Sequence, residues 1–79
     1  MNNSIDSFVD LIRSQFSERE RNEIHEHTNM KLLKEWSSLQ TMIVVSEIDK
    51  EFGVVLDFQD LKSADTVAQL YNIVLSKKS

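Results

Sequence analysis

Apolar residues recur every three or four positions along the start of the chain, which places them on one face of an α-helix. The residues on this face are Ile5, Phe8, Val9, Ile12 and Phe16. The pattern predicts a first helix over residues 4–15, with Ser4 or Asn3 as its N-cap.

The helical period disappears between residues 17 and 30. Two interpretations stay open for this stretch. Ser17 and Glu20 have the S-x-x-E spacing of a capping box and would begin one extra polar turn, or the whole stretch is a long solvated loop. We expect Leu32 and Leu33, which follow it, to anchor its end to the core.

The best-defined helix follows Trp36. Ser37 and Gln40 have the S-x-x-Q spacing of a capping box, which predicts Ser37 as the N-cap and Ser38 as the first helical residue. Gly53, the only glycine, is predicted to end the helix in the left-handed conformation. The stripe predicted to face inward consists of Val44, Val45, Ile48 and Phe52.

Two further helices are predicted after Gly53. Val54 and Leu56 are expected to enter the core from a loop, and residues 57–61 to form a short third helix. Asp65 or Thr66 is expected to cap a fourth helix. Its inward residues are Val67, Leu70, Tyr71 and Val74. With no proline and one glycine, an all-β fold is unfavourable. We predict one all-α domain over residues 1–79, a small four-helix bundle with a long loop between helices 1 and 2 and a short third helix.

The net charge of −4 is concentrated in the middle of the chain. Residues 35–60 hold six acids against Lys50 alone. This excess disfavours nucleic acid and favours basic protein partners. There is no cysteine, no N-terminal pattern typical of a secretory signal, and no apolar run long enough to span a membrane. We therefore expect a cytoplasmic monomer.

Candidate catalytic groups are few. A nucleophilic serine needs a base that a third group orients, and the sequence has no G-x-S-x-G elbow. His25 and His27 flank Glu26 in the polar stretch, where two histidines two residues apart do not share a helix face. We interpret them as solvated loop residues, and we expect no catalytic residue, no metal site and no enzyme activity.

Three motifs carry a resemblance to a known family. They are Trp36-Ser37-Ser38-Leu39 at the start of the second helix, Glu51-Phe52-Gly53 at its end, and Thr66-Val67 at the start of the last helix. Together with their spacing, they resemble the acyl carrier protein family, whose members carry Asp-Ser-Leu, Glu-Phe-Gly and Thr-Val at these points. The resemblance is strong in the second half of the chain and rests only on pattern in the first half.

The resemblance implies a cofactor and a set of partners. Ser38 would be esterified by 4′-phosphopantetheine, which a separate phosphopantetheinyl transferase takes from coenzyme A. The thiol of this arm would hold an acyl or polyketide-type intermediate as a thioester and deliver it to acyl-loading, condensing or transferring enzymes. Tethering raises the effective concentration of the intermediate at each partner.

Two residues depart from the family pattern. Ser37 replaces the aspartate that precedes the modified serine; it caps a helix equally well but lacks the charge that helps the modifying enzyme in the family. Ile43 stands where carrier proteins of bacterial fatty acid synthesis usually show an acid. We expect partners to contact Ser37, Leu39, Met42, Ile43 and Glu47, and to differ from the fatty acid enzymes. The alternative hypothesis is an unmodified helical adaptor that keeps the carrier fold and only binds partner proteins.

Overall fold

A computed structural model describes residues 4–78 of the chain. Over this part it contains five α-helices, one turn of 3₁₀ helix and no strand, apart from an isolated bridge between Asn29 and Thr66. The helices are α1 (Ile5–Arg13), α2 (Glu18–Arg21), α3 (Ser38–Phe52), α4 (Phe58–Ser63) and α5 (Val67–Lys78). The 3₁₀ turn spans Met30–Leu32. The predicted all-α fold is confirmed, since α1, α3, α4 and α5 are the four predicted helices.

Capping side chains fix where the helices begin. Ser4 accepts the N–H of Ser7 at the start of α1, while Asn3, the other predicted cap, lies outside the described residues. Thr66 caps α5 by accepting the N–H of Gln69, whose side chain in turn accepts the N–H of Thr66. Such reciprocal bonds satisfy donors that a helix leaves unpaired at its first turn.

The core lies between α1, α3 and α5. Phe8 is fully buried at its centre, with its ring 5.7 Å from that of Phe52 and 5.2 Å from that of Tyr71. The other buried apolar residues of the core are Ile12, Phe16, Ile24, Met30, Val44, Ile48, Val54, Leu56, Ala64, Val67, Leu70 and Val74. The expected core positions of α3 and α5, and of Val54 and Leu56, are therefore confirmed, although Val45, Phe52 and Tyr71 are only partly buried.

Two residues between helices have a different burial from that expected. Ile24 is fully buried although the period disappears around it. Leu32 is exposed, so the expectation that it anchors the loop was wrong, whereas Leu33 does pack against the core. A 3₁₀ turn has three residues per turn, so Met30 and Leu33 share the inward side and Leu32 points away.

α4 is a short helix at the edge of the bundle and has no buried residue. Asp57 and Asp60 form a complete capping box at its start. The N–H donated by Asp57, together with the Lys77 ammonium 3.2 Å away, holds the pKa of the Asp60 carboxyl below its ordinary value. α4 is therefore held mainly by its polar cap and by its packing on α5.

Candidate functional site

Ser37 and Ser38 occupy two different positions at the start of α3. Ser37 is the N-cap, with extended backbone, and its hydroxyl accepts the N–H of Gln40 at 3.1 Å. Ser38 is the first helical residue, as predicted, and its side chain is exposed. Within residues 4–78, the Ser38 hydroxyl has no hydrogen-bond partner. Ser38 thus presents a free hydroxyl, and Ser37 uses its oxygen to hold the helix.

Only half of the predicted Ser37–Gln40 capping box forms. The Gln40 side chain donates to the backbone carbonyl of Gln15 instead of returning to the N–H of Ser37. This bond joins the first turn of α3 to the end of α1. It therefore connects the turn that contains Ser38 to the residues that follow α1.

The start of α3 carries positive potential without any charged side chain. The N–H groups of a helix's first turn point outward, and the helix dipole adds to their effect. Residues 38–46 include no acid and no base, and the acids of α3 begin at Glu47. An anionic phosphoryl group attached to the first residue would therefore meet a favourable field.

The segment before Ser38 is held against the end of α1 and α2. The Trp36 ring lies half-buried at the loop–helix junction and stacks on Phe16 with their centroids 6.4 Å apart. The Glu35 carboxylate accepts the hydroxyl of Ser17 and, at 3.0 Å, its N–H. These bonds, with the Ser17 hydroxyl contributing most, lower the pKa of Glu35.

The structure of residues 17–30 decides between the extra helical turn and the long loop that the sequence left open. One extra helical turn, α2, follows Ser17, but the capping box with Glu20 does not form. Glu20 is instead buried, with its two carboxylate oxygens each 3.0 Å from a backbone nitrogen, those of Lys34 and Glu35. Sequence reasoning missed this role, because nothing local to α2 indicates a partner some fifteen residues away.

An open apolar cleft of about 840 Å³ lies beside Ser38, between α3 and the segment that leads into α4. Thr41, Met42, Val45 and Asp49 form its α3 wall, on the side that includes Ser38. Apolar groups on the remaining walls are Trp36, Leu56, Phe58 and Leu61. Phe58 was not predicted as a site residue; its exposure at the start of α4 is visible only in the fold.

The residues predicted to contact partners are only partly brought together. Leu39 and Met42 are each 69% exposed and Ile43 is 38% exposed. At 100° per residue, they lie on the outward side of α3 next to Ser38. Glu47 lies at the edge of this face, where its carboxylate pairs with Lys50 at 3.3 Å. The exposed apolar character predicted for Ile43 is therefore present, and Glu47, four residues later on the helix, adds a charged edge to this face.

The histidines stand away from this arrangement. His25 and His27 are both exposed in the turn after α2, and His27 faces Glu26 at 3.7 Å. Within the described part of the chain, no three histidine, cysteine or acidic side chains form a group that could hold a metal ion. No helix over residues 4–78 is both long enough and apolar enough to cross a membrane.

A comparison with protein families identifies the class. Residues 6–74 match the family described as "Phosphopantetheine attachment site". Because the match covers most of the 79 residues, the chain belongs to this family, and the predicted resemblance to acyl carrier proteins is confirmed. No curated protein matches the chain. Domains of this family carry a covalently attached 4′-phosphopantetheine group and are not themselves catalytic. They work with phosphopantetheinyl transferases and biosynthetic enzymes.

The residues at the start of α3 fit such a group. An exposed hydroxyl at a helix start provides the oxygen for a phosphate ester and a field that favours an anion. The adjoining cleft has room for part of a flexible arm or its cargo.

Proposed function

We propose that this chain is a single acyl carrier domain that is modified at Ser38 and delivers acyl or polyketide-type intermediates to partner enzymes. One observation carries the choice of residue: Ser38 is exposed and its hydroxyl has no hydrogen-bond partner within residues 4–78, whereas the neighbouring Ser37 hydroxyl caps α3. The attached 4′-phosphopantetheine supplies a terminal thiol on which cargo is carried as a thioester. The chain itself supplies the attachment point and the surface that partners recognise.

Loading needs an external catalyst. The Ser38 oxygen forms a new P–O bond to the phosphopantetheinyl phosphorus, and the pyrophosphate linkage of coenzyme A breaks, which releases the nucleotide. The hydroxyl proton must pass to a base. Because no base is hydrogen-bonded to Ser38 within the described residues, the transferase supplies it.

The partner surface follows from the exposure of α3. Leu39, Met42 and Ile43 form an uncharged apolar face beside the modified residue. Such a face is buried by an apolar complement on the partner, and this favours enzymes other than those that bind an acidic carrier helix. The cysteine-free sequence is compatible with a reducing compartment, and we place the carrier in the cytoplasm as a monomer.

Intact-mass measurement tests the modification. The chain is incubated with coenzyme A and a transferase of broad specificity, and we expect a mass increase of one phosphopantetheine group. Ser38→Ala should abolish the increase. Ser46→Ala, which removes another exposed hydroxyl of α3, should leave it unchanged. Wild-type protein that gains no mass, or Ser38→Ala that gains as much as wild type, contradicts the proposal.

The adaptor hypothesis is supported by a separate observation, the Ser37 that replaces the family's aspartate. An adaptor would be recovered unmodified from its native cells and would still bind a partner through the face around Ile43. Pull-down with Ile43→Glu tests this surface: we expect the substitution to reduce partner recovery at least about ten-fold by burying an unpaired charge. Undiminished recovery would show that partners bind elsewhere.

A further inference from the structure

Glu20 is an acidic side chain that is buried without an ion pair in the described part of the chain. Only 5% of its surface is exposed, and within residues 4–78 it forms no ion pair. Both carboxylate oxygens are instead satisfied by backbone N–H groups, those of Lys34 and Glu35. An acid buried in this way is costly unless its hydrogen bonds are complete, so its placement calls for a physical reason.

The two N–H groups belong to a segment that lacks regular structure. Residues 33–37 connect the 3₁₀ turn to α3 and end next to Ser38. Without Glu20, the N–H groups of Lys34 and Glu35 would have no protein partner within the described chain. We call this pair of hydrogen bonds the Glu20 clasp.

Three further contacts join the same two regions. The Phe16 and Trp36 rings stack, Ser17 donates to Glu35, and the Gln40 side chain donates to the carbonyl of Gln15. Residues 15–20 therefore hold residues 34–40 along their length. The Glu20 clasp is the member of this set in which a buried carboxylate accepts two backbone N–H groups.

We propose that Glu20 is a positioning residue for the modification of Ser38. By fixing the backbone of residues 34 and 35, it holds in place the segment that leads into α3 and ends next to Ser38. A transferase that binds this segment then avoids the entropy loss of ordering it, which favours binding. This inference rests on the proposed modification of Ser38 and adds a residue that never touches the transferred group.

Glu20→Gln is the sharpest test, because it keeps the size of the side chain and changes one acceptor. The new amide directs N–H donors at a backbone N–H that is itself a donor, so one bond of the clasp is lost. We expect kcat/KM for phosphopantetheinylation to fall about ten-fold, as for loss of one hydrogen bond to a charged group. The fall should appear in KM, with kcat nearly unchanged. Amide hydrogen exchange at Lys34 and Glu35 should also accelerate about ten-fold, while exchange at Val44 and Ile48 stays slow.

Two controls separate positioning from charge and from stability. Glu23→Gln makes the same charge change at an exposed acid near the clasp and should be loaded like wild type. Val74→Ala removes buried volume in α5 and, at a temperature where it stays folded, should also be loaded like wild type. The inference is overturned if Glu20→Gln loads as fast as Glu23→Gln, if Val74→Ala slows loading as much, or if only kcat falls. Failure of wild-type loading would refute the modification of Ser38 instead, and hydrogen exchange would still report on the clasp.

Discussion

Two adjacent serines show how one position along the backbone changes the use of a hydroxyl. The Ser37 oxygen accepts an N–H of its own helix, while Ser38, one residue later, points to solvent. An N-cap side chain curls back over the first turn, and the first helical residue projects away from it. The two hydroxyls therefore divide the work of holding the helix and of presenting an attachment point.

Substitutions at Ser37 separate its structural role from its charge. Ser37→Ala should lower the free energy of unfolding by about 1 kcal/mol, because the N–H of Gln40 loses its acceptor. Ser37→Asp should keep the wild-type stability, since aspartate caps equally well. It should also speed loading of Ser38 by restoring the acid that the family usually has there.

Urea denaturation measures the stabilities, and intact mass against time measures loading. Ser46→Ala is a suitable control on the same helix. An unchanged stability of Ser37→Ala would show that the cap contributes nothing. Loading of Ser37→Asp at the wild-type rate would show that the missing charge is not what limits modification.

At the scale of elements, α2 and the approach to α3 stabilise each other through their acids. Glu35 accepts from Ser17 at the start of α2, and Glu20 within α2 accepts the backbone N–H groups of Lys34 and Glu35. Each acid thus satisfies donors that the other segment leaves unpaired. A four-residue helix of this kind would not persist alone, so it depends on these bonds and on those that Arg21 makes with Arg13 and Phe16.

The hydrogen bonds between Ser17 and Glu35 make folding stability depend on pH. Hydrogen bonds from Ser17 lower the pKa of Glu35 in the folded state below its value in the unfolded chain. The stabilisation is therefore complete above the unfolded pKa of about 4.3 and is lost as pH falls through the lower folded pKa. Ser17→Ala removes the largest cause of the shift, so it should reduce the fall in Tm between about pH 6 and about pH 3.

Thermal melts across that range provide the measurement. Ser14→Ala is the matched control, because the Ser14 hydroxyl donates to the Leu11 carbonyl and not to a carboxylate. Asp60 also has a lowered pKa, but both variants retain it, so its contribution cancels in the comparison. If Ser17→Ala loses as much Tm on acidification as Ser14→Ala, the Ser17–Glu35 pair is not the source of the pH dependence.

For the whole molecule, the sequence predicts what depends on neighbours along the chain. Ser37 and Gly53 were assigned correctly as helix ends, and Thr66 was one of the two residues expected to cap α5, because caps involve residues three or four positions away. Phe8 and Ile48 followed from helical spacing for the same reason. These local signals were enough to predict the four main helices and the position of Ser38 at the start of α3, while the family followed from the resemblance of the motifs at the helix ends.

The remainder depended on contacts between distant segments. Ile24 and Glu20 are buried because α2 lies against the approach to α3, and no local pattern records that approach. Leu32 and Leu33 are chemically alike, so only the geometry of the 3₁₀ turn decides which one faces inward. The cleft was not predicted either, because its walls come from two separated stretches of chain.

Gly53 shows how far the effect of a single backbone angle extends. It ends α3 with φ of +68°, a conformation that costs a residue with a side chain about 1 kcal/mol or more, although no atom within 4 Å would obstruct a Cβ there. After this change in chain direction, Val54 and Leu56 enter the core. Phe58 then lines a different wall of the cleft from Met42. Because α4 follows this change in direction, the position of Phe58 relative to α3, and with it the width of the cleft beside Ser38, depends on a backbone angle at the opposite end of the helix.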